Sequence, residues 1–524
     1  MSNKEKIPPY KNEPLTDFTM RENKQAFEKA LAKVKGELGK TFPLVIGREK
    51  IITEEKIVSI NPGNVDEVIG VMSKGNKSYA EKAMQEALCA FEMWKKVKPR
   101  ERAEYLLKAA SLMRQRKHEF SAYMVYEAGK NWTEADADTA EAIDFLEFYA
   151  REMIRLSETA VHQPLYPTAG EADNKITYIP LGVGIVISPF NFPLAIMAGT
   201  TVAAIVAGNT VILKPADTTS VIAYKFIELM EEVGLPQGVV NFLPGDALEV
   251  GEYLVEHPKT RFVSFTGSKK VGCRIYEHAS IVQPGQIWLK RVIAEMGGKD
   301  GIVVDETADI DAAAQAIVAA AFGYQGQKCS AGSRAIIVEA IYDELVQKIV
   351  GIAGLLKVGS PVQNASVGPV IDERALEKVM KYIEIGKKEG ALLLGGNRTN
   401  EHGYYIEPTI FADVKQDAKI MQEEIFGPVL AISKVADWQE GIAVYNNTEY
   451  GLTGSFFSSN EGRIKYALEN MHCGNLYINK KCTGALVGVH PFGGFNMSGT
   501  DSKAGGFDYL LLFTQAKLST KKVI

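Results

Sequence analysis

Residues 181–213 read LGVGIVISPFNFPLAIMAGTTVAAIVAGNTVIL and carry no charged side chain. A run of that length could span a bilayer. Pro189 and Pro193, with glycines at 182, 184, 199 and 208, instead divide it into short pieces. GVGIVIS has the continuous apolar character of a strand buried on both faces of a parallel sheet. LAIMAGTTVAAIVA reads as a buried helix and TVILKPA as a second strand. The stretch is therefore a βαβ unit in the core of an α/β protein.

The pattern continues outward on both sides. From 180 to 296 strands (VVNFLPG, RFVSFTGS) alternate with helices (VIAYKFIELMEEVG), as in an open, mostly parallel sheet covered on both faces. A second α/β region runs from about 297 to 480, with GIVVDE, DAAAQAIVAAAFGYQ and SRAIIVEA. Upstream, the first 40 residues are polar and charged, with a helix-like NKQAFEKALAKVKGEL. Short strands follow in PLVIGREKI and KIVSINPGN. A helix over 78–94 presents Ala80, Met84, Ala87, Leu88, Phe91 and Trp94 as one apolar face, and further helices reach about residue 156.

Composition narrows the function. The 524 residues are 46% hydrophobic and 23% charged, which suits a globular chain of about three domains. Such a chain buries roughly three quarters of its unfolded surface and needs no covalent staple. A net charge of −5 offers no basic footprint for nucleic acid. The five cysteines (Cys89, Cys273, Cys329, Cys473, Cys482) form no C-x-x-C pair, and MSNKEKIPPYKNEP lacks the apolar core of a secretory signal. Reduced thiols and a cytoplasmic location are expected. Seven histidines without H-x-x-x-H spacing argue against a zinc site, so no metal is expected.

Cys329 lies in YQGQKCSAGSR, where small neighbours leave room for a ligand to reach sulfur. Free cysteines are more often small core hydrophobes, but Lys328 and the Gly-rich polar surroundings are unlike a core. Thiolate attack on a carbonyl needs an oxyanion donor, typically contributing about 2.7–4 kcal/mol, and a base contributing about 10²–10⁴-fold in rate. Asn191 in the loop PFNFP is the candidate donor, and Glu295 in IAEMGGK the candidate base. The turn in PLGVGIVIS is only G-x-G, which a buried strand explains equally well. In SFTGSKKVG, Gly267 would let backbone approach a phosphate, with Ser268 at a helix N-terminus. Lys214 ends a strand, on the edge where ligands bind such sheets. The other four cysteines read as buried filler, Cys482 alone being placed to be redox-sensitive.

Taken together, PFNFP, LKPAD, FVSFTGS, AEMGGKD, GQKCSAGSR, EEIFGPV and PFGGFNMSG occur in an order and spacing that resembles the aldehyde dehydrogenase superfamily over nearly the whole chain. Phe190, KCSAGSR and the loop 481–505 look like the branch acting on L-glutamate γ-semialdehyde, the open form of 1-pyrroline-5-carboxylate. The resemblance implies that Cys329 forms a thiohemiacetal, with the Asn191 amide and the Cys329 N–H on the oxyanion. Hydride then passes to NAD, and Glu295 activates water against the thioester. It places Ser188, Lys214, Asp217, Gly267, Ser268, Glu424 and Phe426 on the cofactor. Asp217 stands where NAD-preferring relatives often carry Glu, and its carboxylate disfavours a 2′-phosphate.

For the substrate, the resemblance puts the α-carboxylate on Ser330 and the N–H groups around Gly484 and Ala485, with Phe192 and Phe492 beside the methylene chain. Glu141 is expected to orient Lys328 or to meet the α-ammonium. A helical extension over 1–40 is implied, with a cofactor domain over 41–160 and 180–296 and a catalytic domain over 297–495. A hairpin at 161–179 and a tail at 496–524 would join copies into a homo-oligomer. The alternatives are an enzyme for another semialdehyde, such as succinic semialdehyde, a cysteine hydrolase, and a non-catalytic protein on the same fold. The first would favour Arg or Lys in the anchor loop, and TGALVG offers none. No histidine for the second lies within forty residues of Cys329.

Overall fold

The computed structural model describes residues 7–159, 171–400 and 402–522. The apolar run at 181–213 forms the strand Val183–Ile187, the helix Ala195–Val206 and the strand Thr210–Lys214, with the two strands parallel. Among the described residues no helix is long and apolar enough to cross a membrane. The two strands are the centre of a seven-stranded sheet ordered 291–295, 262–266, 183–187, 210–214, 240–242, 44–46, 49–51. Its first five strands are parallel, and the hairpin at 44–51 closes the far edge antiparallel.

Alternate residues of this sheet face two cores, as strand geometry requires. Val186, Val211 and Leu213 pack toward the helices between 99 and 159, while Val183, Ile185 and Ile212 pack toward those at 77–94 and 269–280. On the first of these helices Ala80, Ala83, Met84, Ala87 and Trp94 are buried, whereas Leu88 and Phe91 lie half-buried at the edge of the face. The glycines of the G-x-G turn serve packing. A Cβ on Gly184 would stand 1.9 Å from the Phe262 ring on the adjacent strand, and one on Gly182 would stand 2.7 Å from Arg261.

A second seven-stranded sheet runs 391–394, 409–412, 429–435, 334–338, 301–304, 453–457, 475–478, parallel except for the first strand. The polar N-terminal stretch does not stand apart from these layers. Its helix Arg21–Lys35 buries Phe27, Leu31 and Val34 in the core of the first sheet. Of the proposed hairpin, residues 160–170 lie outside the described residues. The strand Glu171–Pro180 pairs antiparallel with Thr514–Lys522, forming a two-stranded ribbon. Two cysteines depart from expectation. Cys89 and Cys273 are exposed on the outer faces of their helices, whereas Cys473 and Cys482 are buried.

Because the Phe262 ring fills the space above Gly184, Gly184→Ala is expected to lower the thermal unfolding midpoint. The cost should reach or exceed the about 1–3 kcal/mol usual for overpacking.

Candidate active site

Cys329 is delivered by a turn with an unusual backbone. Tyr324, Gln325 and Gly326 have φ of 48°, 55° and 67° in succession. A bulky side chain in that region is an outlier, and each such residue costs about 1–3 kcal/mol. Side-chain hydrogen bonds hold the turn in place. The Tyr324 hydroxyl donates to the Ala128 carbonyl at 2.8 Å, and Gln325 Nε2 donates to the carbonyls of Gly129 (3.0 Å) and Pro369 (2.9 Å). Gly326 has no alternative, since a Cβ would lie 2.2 Å from the Gly427 carbonyl oxygen.

Beyond the turn, Cys329 is half-buried and lines a cavity of about 390 Å³. Asn191, buried in the loop after the first strand of the βαβ unit, donates one amide N–H to the Gln327 carbonyl at 3.0 Å. Its second N–H is left for another acceptor. Gly298 is required because a Cβ there would stand 2.4 Å from the Cys329 carbonyl oxygen. Burial pushes the Cys329 thiol up, reinforced by the carboxyls of Asp300, Glu424 and Glu295.

Glu295 ends the strand Arg291–Glu295 and lines the same cavity. One carboxyl oxygen accepts from the Ser502 hydroxyl, while the buried Oε2 has no hydrogen-bond partner among the described residues. Burial raises this carboxyl to about 8, against the opposing pulls of Ser502 and Lys503. A carboxylate tuned near neutrality is suited to take a proton from water.

Gly484, Ala485 and Val487 line the cavity too, as do Phe192, Phe492 and Ser330, the last being next to Cys329 in the chain. Lys328 corrects one expectation. Its ammonium pairs with Glu134 at 2.7 Å rather than with Glu141. Glu134, Asp138 and Glu141 share one face of the helix Trp132–Thr159. Lys328 reaches the first of these acids, and the buried Lys130 takes the second, Asp138, at 2.8 Å. Glu141 remains on the cavity wall with its carboxyl raised by burial to about 8. A second correction concerns charge: Lys481, just before TGALVG, also lines the cavity. The spacing 134, 138, 141 was a usable signal for buried acids, but it did not say which base each one meets.

The remaining candidates gather at the sheet's carboxyl edge. Strand order reverses between Val183–Ile187 and Phe262–Thr266, and a crevice at such a point is where dinucleotides bind. The Ser188 N–H donates to the Lys214 carbonyl at 3.2 Å, and the buried Lys214 places its ammonium 3.7 Å from Asp217. Ser268 caps the helix Lys269–Ser280 by accepting from the Val271 N–H at 3.4 Å, leaving its O–H to donate. The Gly267 N–H donates to the Glu295 carbonyl at 3.0 Å, so the candidate cofactor edge and the candidate base share a frame. From the second α/β region, Glu424 accepts from the Gly298 N–H at 3.1 Å. Phe426, with φ of 60°, meets Phe190 edge-on at 5.8 Å, and both rings are half-exposed rather than core. A helix N-terminus with a free hydroxyl, a strand-end lysine and carboxylates for ribose hydroxyls fit a dinucleotide. Among the described residues lining the cavity there is no histidine for a cysteine hydrolase.

The chain belongs to the aldehyde dehydrogenase family, which matches residues 51–519. Within that family it is 62% identical over 512 residues to a 1-pyrroline-5-carboxylate dehydrogenase of Geobacillus sp. (strain WCH70), covering 98% of this chain and 99% of that one. It is likewise 62% identical over 513 residues, with the same coverage, to the enzyme of that name from Bacillus subtilis (strain 168). Its fold matches a 1-pyrroline-5-carboxylate dehydrogenase from Thermus solved with bound NAD, with TM-score 0.97 and 49% identity over 99% of this chain and 100% of that one. The α/β fold class and the family resemblance are thus borne out.

Gln325→Ala would remove two hydrogen bonds that offset the left-handed turn, each contributing about 1 kcal/mol. It is expected to lower kcat about tenfold or more and to slow alkylation of Cys329 by iodoacetamide, with NAD affinity unchanged.

Proposed function

We propose that the protein oxidises L-glutamate γ-semialdehyde, formed by opening of 1-pyrroline-5-carboxylate, to L-glutamate with NAD, in proline and arginine breakdown. One observation carries the reading. A single cavity is lined by a thiol and a carboxyl base together with a loop of small residues, Lys481 and Glu141. The loop and lysine suit an α-carboxylate, and Glu141 suits an α-ammonium. Lys481 alone would also accept succinic semialdehyde, so Glu141 is the group that discriminates.

In this mechanism Cys329 gives up its proton to solvent water, and sulfur bonds to the aldehyde carbon. The carbonyl electrons move onto oxygen, where the free Asn191 N–H and the Cys329 N–H stabilise them. NAD, when bound, supplies the acceptor for the hydride that leaves this carbon. Ser268, Lys214 and Asp217 hold its phosphate and adenosine portions, while Glu424 and Phe426 orient its reactive end. Glu295 then takes a proton from water as the water oxygen attacks the thioester. The carbon–sulfur bond breaks, Cys329 leaves as thiolate, and glutamate departs.

We assign residues 171–180 and 514–522 to oligomerisation. Residues 515–521 are exposed, and a ribbon of two strands is marginal by itself. The free thiols support a reducing cytoplasm.

NADH absorbance with 1-pyrroline-5-carboxylate, succinic semialdehyde and propanal tests the activity. Strong preference for the first, abolished in Cys329→Ala, is expected, and equal rates on all three would sink the amino-acid anchor. Glu295 is protonated below its pKa and cannot accept a proton there, so turnover should rise with pH to a plateau above about 8. Glu295→Gln should give one burst of NADH and almost no steady state. Removing residues 514–524 should convert the oligomer to monomer in light scattering, and an unchanged mass would refute the ribbon's role.

A further inference from the structure

The segment from Tyr10 to Thr16 lies outside the family match at 51–519, yet it is fastened to the anchor end of the cavity. The Tyr10 hydroxyl donates to the Val487 carbonyl at 2.9 Å, and Asn12 Nδ2 donates to the same carbonyl at 3.0 Å. On its other side the segment is tied to the helix Trp132–Thr159. Asn12 Nδ2 meets Asp144 at 2.8 Å, the Glu13 N–H donates to Asp144 at 2.6 Å, and the Thr16 N–H donates to Asp136 at 2.7 Å. The Tyr10 ring packs edge-on against Phe148 at 5.3 Å. Gly488, with φ of 75°, is held beneath both rings, and a Cβ on it would stand 2.9 Å from Tyr10.

Val487 follows Gly484 and Ala485 by only two or three positions, so its carbonyl sets where their N–H groups point. The helix on the other side carries Glu134 and Glu141. The segment is therefore the cross-tie between the carboxylate-binding loop and the helix that bears the acids. Tyr10 and Asn12 do not line the cavity, which makes them positioning residues.

We propose that this N-terminal segment is a strap that fixes the anchor loop at a set distance from Cys329, and so selects semialdehydes by the reach of their α-carboxylate. The idea rests on the function proposed above. A donor pair on a single carbonyl leaves that carbonyl little freedom, and a loop held within a fraction of an ångström discriminates chain length far better than a loose one. Short aldehydes without a carboxylate never engage the loop, so the strap has no bearing on their oxidation.

Two variants test it in the full-length enzyme. Tyr10→Phe removes the hydroxyl's two hydrogen bonds, to Val487 and from Asn12, and keeps the ring on Phe148, whereas Asn12→Ala removes the amide's bonds to Val487, Tyr10 and Asp144. Each is expected to raise KM for 1-pyrroline-5-carboxylate, by about fivefold to tenfold for the lost bonds. kcat for propanal and KM for NAD should stay at the wild-type value. Hydrogen exchange of residues 483–488 should quicken in both variants, a readout that needs no substrate. Unchanged exchange in that loop overturns the clamp whatever the substrate proves to be. Faster exchange with an unchanged KM, or an equal loss on propanal, overturns the selection. A wild-type enzyme inactive on 1-pyrroline-5-carboxylate would sink the proposed function separately, and with it the selection, leaving the exchange result to judge the clamp.

Discussion

One buried cation holds the reacting parts together. Lys130 and Asp138 are both fully buried and pair at 2.8 Å. The Lys130 ammonium also lies 4.0 Å from the centre of the Phe192 ring and 4.5 Å from that of Tyr324. Asp138 in turn accepts from the Ala195 N–H at 2.7 Å, where the helix of the βαβ unit begins. Phe192 adjoins Asn191, the proposed oxyanion donor, and Tyr324 opens the strained turn that leads to Cys329, the proposed nucleophile. A buried ion pair is a poor source of net stability, since desolvation consumes most of the attraction. Its use here is registry: Asn191 and Cys329 come from distant parts of the chain and are aligned against the same charge.

A second theme is that burial holds several reacting groups of the cavity in their uncharged forms. Burial pushes the carboxyls of Glu295 and Glu141 up to about 8 and keeps the Cys329 thiol protonated. The Lys328 ammonium is matched by Glu134. Groups held in such an environment respond strongly to an arriving charge, because a low dielectric magnifies every new partner. An incoming zwitterion would draw protons off the carboxyl that meets its ammonium. Glu141 and Glu295 are thus prepared for a dipolar ligand without being ionised in advance.

Much of this was legible in the sequence. The charge-free run at 181–213, punctuated by prolines and glycines, located the βαβ unit to within a residue or two. Small residues around Cys329 and the proline-bracketed loop at Asn191 singled out the thiol and the amide that the proposed mechanism uses. Three things were not legible, each for a physical reason. The left-handed turn uses Tyr324 and Gln325, which have no intrinsic preference for that conformation; hydrogen bonds to Ala128 and Gly129, 196 positions away, impose it. The partner of Lys328 depended on which acid of one helix face it could reach, a matter of tertiary distance. The segment Tyr10–Thr16 looked like a polar extension because it is held by hydrogen bonds to the Val487 carbonyl and to acids of the helix Trp132–Thr159, which leave no apolar period to read.

The ribbon at 171–180 and 514–522 sets an order of events. Thr177 and Lys517 face each other across it, 340 positions apart in the chain. Every strand of both seven-stranded sheets lies before residue 479, and so is synthesised before the second half of the ribbon. Synthesis proceeds from the N-terminus, and early parts fold as they emerge. Both sheets can therefore pack before the ribbon forms, and the oligomerisation proposed for it would come last.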